Sequence, residues 1–188
     1  MAPRLQIIIC ATREGRVGPS VARWFDGFVR EHGSFEGELV DLRELALPMF
    51  DEPRHPKMKQ YEHEHTKRWS EMVSAADAHV FVTPEYNYMP PPAFVNAVDY
   101  LSQEWNYKAA GFVSYGGVSG GLRATQIARL HVTTIKMMPM PETVMVPMVK
   151  ELIDSEGAFH SNSLIDLSAK TMLDEMLRWT NALKPLRA

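Results

Sequence analysis

TPEYNYMPPPAFVNAVDYL, residues 83–101, is the stretch whose reading decides the fold. It continues from His79-Val80-Phe81-Val82-Thr83, which is short, β-branched and aromatic, as suits a strand covered on both faces. Pro84, Pro90, Pro91 and Pro92 cannot extend a strand ladder, because proline has no N–H to donate. A proline does fit the first turn of a helix, whose leading N–H groups lack partners anyway. Phe94, Val95, Val98 and Leu101 then follow at helical spacing. Between strand and helix stands Glu85-Tyr86-Asn87-Tyr88-Met89, two aromatics and an amide at the carboxyl end of a strand. In an open α/β sheet that edge is where ligands bind, so the loop reads as a wall for something flat.

Towards the N-terminus the same pattern recurs with different chemistry. Residues 5–11 (LQIIICA) form a strand by their isoleucine run, and residues 19–31 a helix with Val21, Trp24, Phe25 and Phe28 on one face. The loop between them carries glycine, hydroxyl and guanidinium groups, from Thr12 and Arg13 through Arg16, Val17 and Gly18. Unpaired N–H groups and the positive end of a helix dipole attract an anion, and Arg13 or Arg16 can add a bidentate partner. The spacing is neither that of a Walker A loop nor GxGxxG.

Towards the C-terminus, residues 108–115 (KAAGFVSY) form a fourth strand that runs into Gly116-Gly117-Val118-Ser119-Gly120-Gly121. Four glycines in six residues mean a backbone brought close to something, or φ above zero. A helix over 122–136, a fifth strand over 141–147, a polar stretch over 154–162 and a last helix over 164–183 complete the chain. Earlier, residues 37–41 give a second strand, 42–56 a proline-punctuated loop and 57–76 a helix. His63 and His65 stand two apart on that helix with no Cys or HExxH pattern beside them, so a metal site is not expected.

Strands alternating with helices give an α/β doubly wound parallel sheet in one domain spanning 1–188. A flavodoxin-like three-layer sandwich, with five strands in the order 2-1-3-4-5, brings the loops after strands one, three and four together. One loop suits phosphate, one is aromatic and one is glycine-rich, which describes a site for a phosphorylated planar heterocycle such as FMN.

Composition excludes other classes. The 188 residues carry a net charge of -3 with 20 scattered basic residues, which gives neither nucleic acid nor an anionic membrane surface a foothold. No apolar run approaches the roughly 20 residues of a membrane span, and residues 5–11 are too short for a signal core. The single cysteine, Cys10, lies in an apolar strand, so a reducing, cytoplasmic setting is expected.

Three motifs resemble those of the NADPH-dependent FMN reductase family of the flavodoxin-like superfamily. Residues 10–16 (CATREGR) resemble its GSTREGR phosphate loop. Pro84-Glu85-Tyr86-Asn87 with Pro91 and Asn96-Ala97-Val98-Asp99 resembles its PEYN…P…NA[IV]D segment, and residues 114–121 its glycine-rich loop. The resemblance implies that Thr12, Arg13 and Arg16 hold the FMN phosphate. It also implies that Pro84, Glu85, Tyr86 and Asn87, with Tyr88 beyond, line the isoalloxazine, and that Ser114, Tyr115, Gly116 and Gly117 close its pyrimidine end. The chain departs where Cys10 and Ala11 replace Gly and Ser, which removes one hydroxyl.

The resemblance further implies NADPH or NADH as reductant, a small-molecule electron acceptor and assembly as a homodimer or homotetramer. Phe94, Trp105, Leu130, His131, Met137 and Met138 are the apolar surface offered to that assembly. No side chain need act as acid, base or nucleophile, so no catalytic residue is assigned; Glu85 is as well suited to accept loop N–H groups as to relay a proton. Two other readings stand beside this one: an FMN-binding electron carrier without its own NAD(P)H activity, and a non-flavin hydrolase or binding module, though the GxSxG elbow is absent.

Overall fold

The computed structural model describes residues 2–187. Its sheet is parallel throughout and ordered β2-β1-β3-β4-β5, with a sixth strand also on β4. The central three strands are β1 (Arg4–Ile9), β3 (Ala78–Pro84) and β4 (Ala109–Tyr115), and every residue of β3 and β4 is buried. That burial is why β3 and β4 read as mostly apolar runs, with His79, Thr83 and Ser114 the buried polar residues among them. β2 (Glu36–Asp41) lies at one edge and is half exposed.

The other edge corrects the expected fifth strand. Instead of one strand over 141–147, β5 (Met138–Pro139) pairs with Ala109 and Ala110, and β6 (Val144–Val146) pairs with Val113 to Tyr115. Pro139 and Pro141 supply no N–H, so the ladder breaks between them and resumes at Val144. Only the Met140 N–H bridges the gap, donating to the Ala110 carbonyl at 2.8 Å.

Helices cover both faces. α1 (Gly18–His32) and α6 (Ser163–Leu183) press Val21, Phe25, Met172 and Met176 onto Ile7, Val80 and Val113. α3 (Glu64–Ala75), α4 (Pro92–Asp99) and α5 (Leu122–Thr133) press Trp69, Phe94 and Val132 onto Ile8, Phe81 and Phe112. Alternation along each strand thus feeds two cores, one per face. A short α2 (Leu42–Leu45) stands in the segment expected to be loop, started by the Asp41 carboxylate accepting from Arg43 N–H at 2.9 Å.

α3 begins at Glu64 rather than Lys57. Glu52 accepts the N–H groups of Glu62 and His63 at 2.9 and 3.1 Å, and a carboxylate ten residues upstream leaves no local cap signal to read. His63 therefore precedes the helix, and its ring stacks on His65 at 5.2 Å. α5 likewise stops three residues before Lys136.

Cys10 is fully buried, its thiol is turned to the Ile8 carbonyl, and burial pushes its pKa well up. Of the residues offered to an oligomer, Phe94, Trp105 and Met137 lie in the core of the chain itself, whereas Leu130 is 72% exposed. Among the described residues no helix is long and apolar enough to cross a membrane.

Candidate functional site

The carboxyl ends of β1, β3 and β4 enclose a cleft of about 440 Å³, within the range of roughly 300–1,000 Å³ usual for small-molecule sites. Arg13 and Val17 come from the first loop, Pro84, Glu85 and Tyr86 from the second, and Tyr115, Gly116 and Gly117 from the third. All three expected loops therefore converge. A fourth wall, residues 148–151, was not foreseen. It is tied to the glycine loop by the N–H groups of Met148 and Val149, which donate to Gly117 and Gly116 carbonyls at 2.9 and 3.1 Å. The rule that strand ends share one rim extends to the loop after the last strand, and applied there it would have found this wall.

The first loop presents positive potential. Among the described residues no side chain caps α1, and its first turn contains no acid. Of its leading positions, Pro19 has no N–H and the Ser20 N–H donates to the Val17 carbonyl at 3.1 Å, which leaves the Gly18 N–H to meet an anion. Arg13 is exposed and donates only to its neighbour's carbonyl, Glu14 O, at 3.0 Å. Arg16 is placed differently. Its guanidinium grips both Asp41 oxygens at 2.5 and 2.7 Å and the Ala11 carbonyl at 2.7 Å, so it ties the loop to the end of β2. Thr12 faces a neighbouring cleft of about 310 Å³ with Leu42, Arg43 and Pro92.

Gly18 sits at the helix start under the Tyr115 ring: a Cβ there would lie 2.6 Å from the Tyr115 hydroxyl and 3.3 Å from Ile9 Cγ2. The Tyr115 side chain thus reaches back to the start of α1. The hydroxyl is buried and has no partner among the described residues, and burial holds its pKa far up.

In the second loop, residues 86–89 close a two-residue turn, with N–H to carbonyl bonds of 2.9 and 3.0 Å in both directions between Tyr86 and Met89. Asn87 and Tyr88 occupy its tip with φ of +50° and +72° and stand outside the cleft proper. Glu85 is a structural acceptor: it takes the Arg123 and Ala124 N–H groups at 2.9 and 3.2 Å and the Ser119 hydroxyl at 3.1 Å. It caps α5, whose own N-cap residue, Gly121, has no side chain. Ser114 is wholly buried and donates to the Gly120 carbonyl at 2.8 Å, fixing the glycine loop from beneath.

Burial opposes ionisation of Glu85, but the donors from Ala124, Arg123 and Ser119 and the Arg123 charge prevail and hold its pKa below the ordinary 4.5. A depressed carboxyl contributes stability that is present above its unfolded value and is lost as pH falls through the folded one. Glu85→Gln is expected to cost about 1–2 kcal/mol at neutral pH, the loss of a helix cap, with the deficit closing below pH 4.5. Urea midpoints at both pH values measure this, and a deficit that stays constant with pH would refute it.

Known proteins resemble the chain at three levels. Residues 3–151 match the family model described as NADPH-dependent FMN reductase. An NAD(P)H-dependent FMN reductase of Schizosaccharomyces pombe, C4B3.06c, is 38% identical over 146 residues, which span 77% of this chain and 72% of that protein. The NAD(P)H-dependent FMN reductase LOT6 of Saccharomyces cerevisiae is 32% identical over 165 residues, 75% of this chain and 86% of that one. Among solved structures, the flavoenzyme NAD(P)H:(acceptor) oxidoreductase FerB of Paracoccus denitrificans superposes with a TM-score of 0.76 at 17% identity, covering 96% of this chain and 98% of that chain. That likeness supports the flavodoxin-like fold. With the sheet order, the converging loops and the family model in agreement, the chain belongs to the NADPH-dependent FMN reductase family.

Proposed function

We propose that the chain binds FMN in the cleft between the first, second and third loops and passes reducing equivalents from NAD(P)H to a small-molecule acceptor of the flavin, quinone, azo or metal-ion class. The observation that carries this reading is the start of α1, without a side-chain cap, beside an Arg13 bonded only to the adjacent Glu14 carbonyl among the described residues, at one end of a cleft whose other walls are Pro84 to Tyr86, two glycines and residues 148–151. The donor set suits a phosphate at one end and a flat ring along the rest, and the Tyr115 hydroxyl, without a partner among the described residues, lies beside Gly18 at the phosphate end.

FMN supplies the hydride chemistry when it is bound. The residues of the chain bind and orient. Arg13 and the Gly18 N–H at the start of α1 would hold the phosphate, Pro84 and Tyr86 would form a wall along the ring, and the Gly117 N–H would be the donor near the pyrimidine end, since that of Gly116 is bonded to the Val146 carbonyl at 3.2 Å. Glu85 is fully occupied in capping α5, so the site provides no general acid or base from that position. Relatives named quinone reductase and NADPH azoreductase support the range of acceptors.

The purified chain is expected to quench FMN fluorescence on titration, and NADPH added without oxygen is expected to bleach the flavin band. Binding without bleaching would favour an electron carrier, and no binding would sink the reading altogether. Arg13→Ala should weaken FMN by about 1.5–3 kcal/mol, the range for a hydrogen bond to a charged group. An unchanged dissociation constant would remove Arg13 from the site.

A further inference from the structure

Tyr88 occupies a backbone position that asks for glycine. A two-residue hairpin turn with both central residues at positive φ takes Asn-Gly by preference. Asn87 fits its place, but a tyrosine at φ +72° brings Cβ against its own carbonyl. Burial does not hold it there, for the residue is 61% exposed. Among the described residues its ring engages Arg123, whose guanidinium carbon stands 4.4 Å from the ring centroid. An exposed aromatic kept in a disfavoured conformation, with no gain in core packing, marks a contact made to something else.

Arg123 points to what that is. It opens α5 and reaches Glu85, a wall of the cleft, at only 3.4 Å, and its side chain remains 51% exposed. The carboxylate is already taken by two amides and a hydroxyl, so the guanidinium keeps donors free.

We propose that Tyr88 and Arg123 grip the adenosine end of the nicotinamide coenzyme, the ring stacking on the purine and the guanidinium meeting the ribose phosphate. The proposal rests on the reductase reading above. A dinucleotide whose nicotinamide lies in the cleft must carry its adenosine out over the rim, and the aromatic–cation pair stands at that rim: Tyr88 is two residues beyond Tyr86 of the cleft wall, and Arg123 reaches Glu85 of the same wall. Base stacking on an aromatic and bidentate phosphate binding by arginine are the two contacts such a group requires. A quinone or azo acceptor has to meet the flavin inside the cleft and has no need of a cation outside it.

The test uses adenosine 2′,5′-bisphosphate, a fragment with no nicotinamide, titrated calorimetrically into the full chain. Glycine suits the turn, so Tyr88→Gly removes the ring without straining the backbone, and circular dichroism checks that the fold is kept. Tyr88→Gly and Arg123→Gln are each expected to weaken the fragment about tenfold, whereas Tyr88→Phe keeps the parent affinity. Unchanged affinity in the first two variants overturns the proposal. So does a loss confined to Lys150→Gln, which would move the phosphate grip to the opposite wall. FMN titration and anaerobic bleaching of the same samples separate the two readings. Flavin that binds and bleaches while the fragment ignores both variants sinks this inference alone, and parent protein that neither binds nor bleaches sinks both.

Discussion

Gly121→Val is expected to leave little folded protein under mild denaturant. Gly121 has φ +85°, a conformation that costs an L-residue about 1–2 kcal/mol. A Cβ there would stand 2.8 Å from Ser114 Cβ and 3.1 Å from the Tyr115 nitrogen, both on the buried central strand β4. Neither is the flexible end of a side chain, so the loop must move, and overpacking of this kind adds about 1–3 kcal/mol. The sum, roughly 2–5 kcal/mol, is a large fraction of the 5–15 kcal/mol that holds a domain together. Gly117→Ala is the control, since nothing lies within 4 Å of its added Cβ; its stability should stay within about 0.5 kcal/mol. Urea midpoints read both, and a Gly121→Val shift as small as the control's would show that the loop yields freely.

Arg16→Ala should likewise cost stability, about 3–5 kcal/mol, as expected when one partner of a buried ion pair is removed. The two side chains are only 12% and 11% exposed, and the Asp41 carboxylate and Ala11 carbonyl would both be left short of donors. Lysine at this place should recover only part, because it cannot make the bidentate contact. The contrast with Arg13→Ala is diagnostic: Arg13 should lower FMN affinity at unchanged urea midpoint, and Arg16 should lower the midpoint first. If Arg16→Ala is as stable as its parent, the link from loop to β2 is of no consequence and Arg16 returns to the phosphate.

That contrast also shows where sequence reasoning ended. The first loop was legible as a strand, glycines and a helix start because these are contiguous. The pairing of Arg16 with Asp41 was not, because that partner lies 25 residues away. β3 and β4 were legible because burial on both faces leaves them mostly apolar, His79, Thr83 and Ser114 apart, whereas the last edge, interrupted by Pro139 and Pro141, has too few residues in either piece to make a pattern. For Glu85 the sequence left acceptor and proton relay equally open, and the helix whose N–H groups it accepts starts 37 residues later, beyond any local motif. The positive φ of Asn87 and Tyr88 at the tip of the second loop was not legible either, because Tyr88 stands where such a turn ordinarily takes glycine.

The lone thiol of Cys10, fully enclosed with its ionisation suppressed, has a practical corollary. Alkylating reagents should mark the chain once, and only in molecules that have opened far enough to expose β1. Mass spectrometry after a short pulse of iodoacetamide would then count openings of the central sheet directly, with no engineered probe.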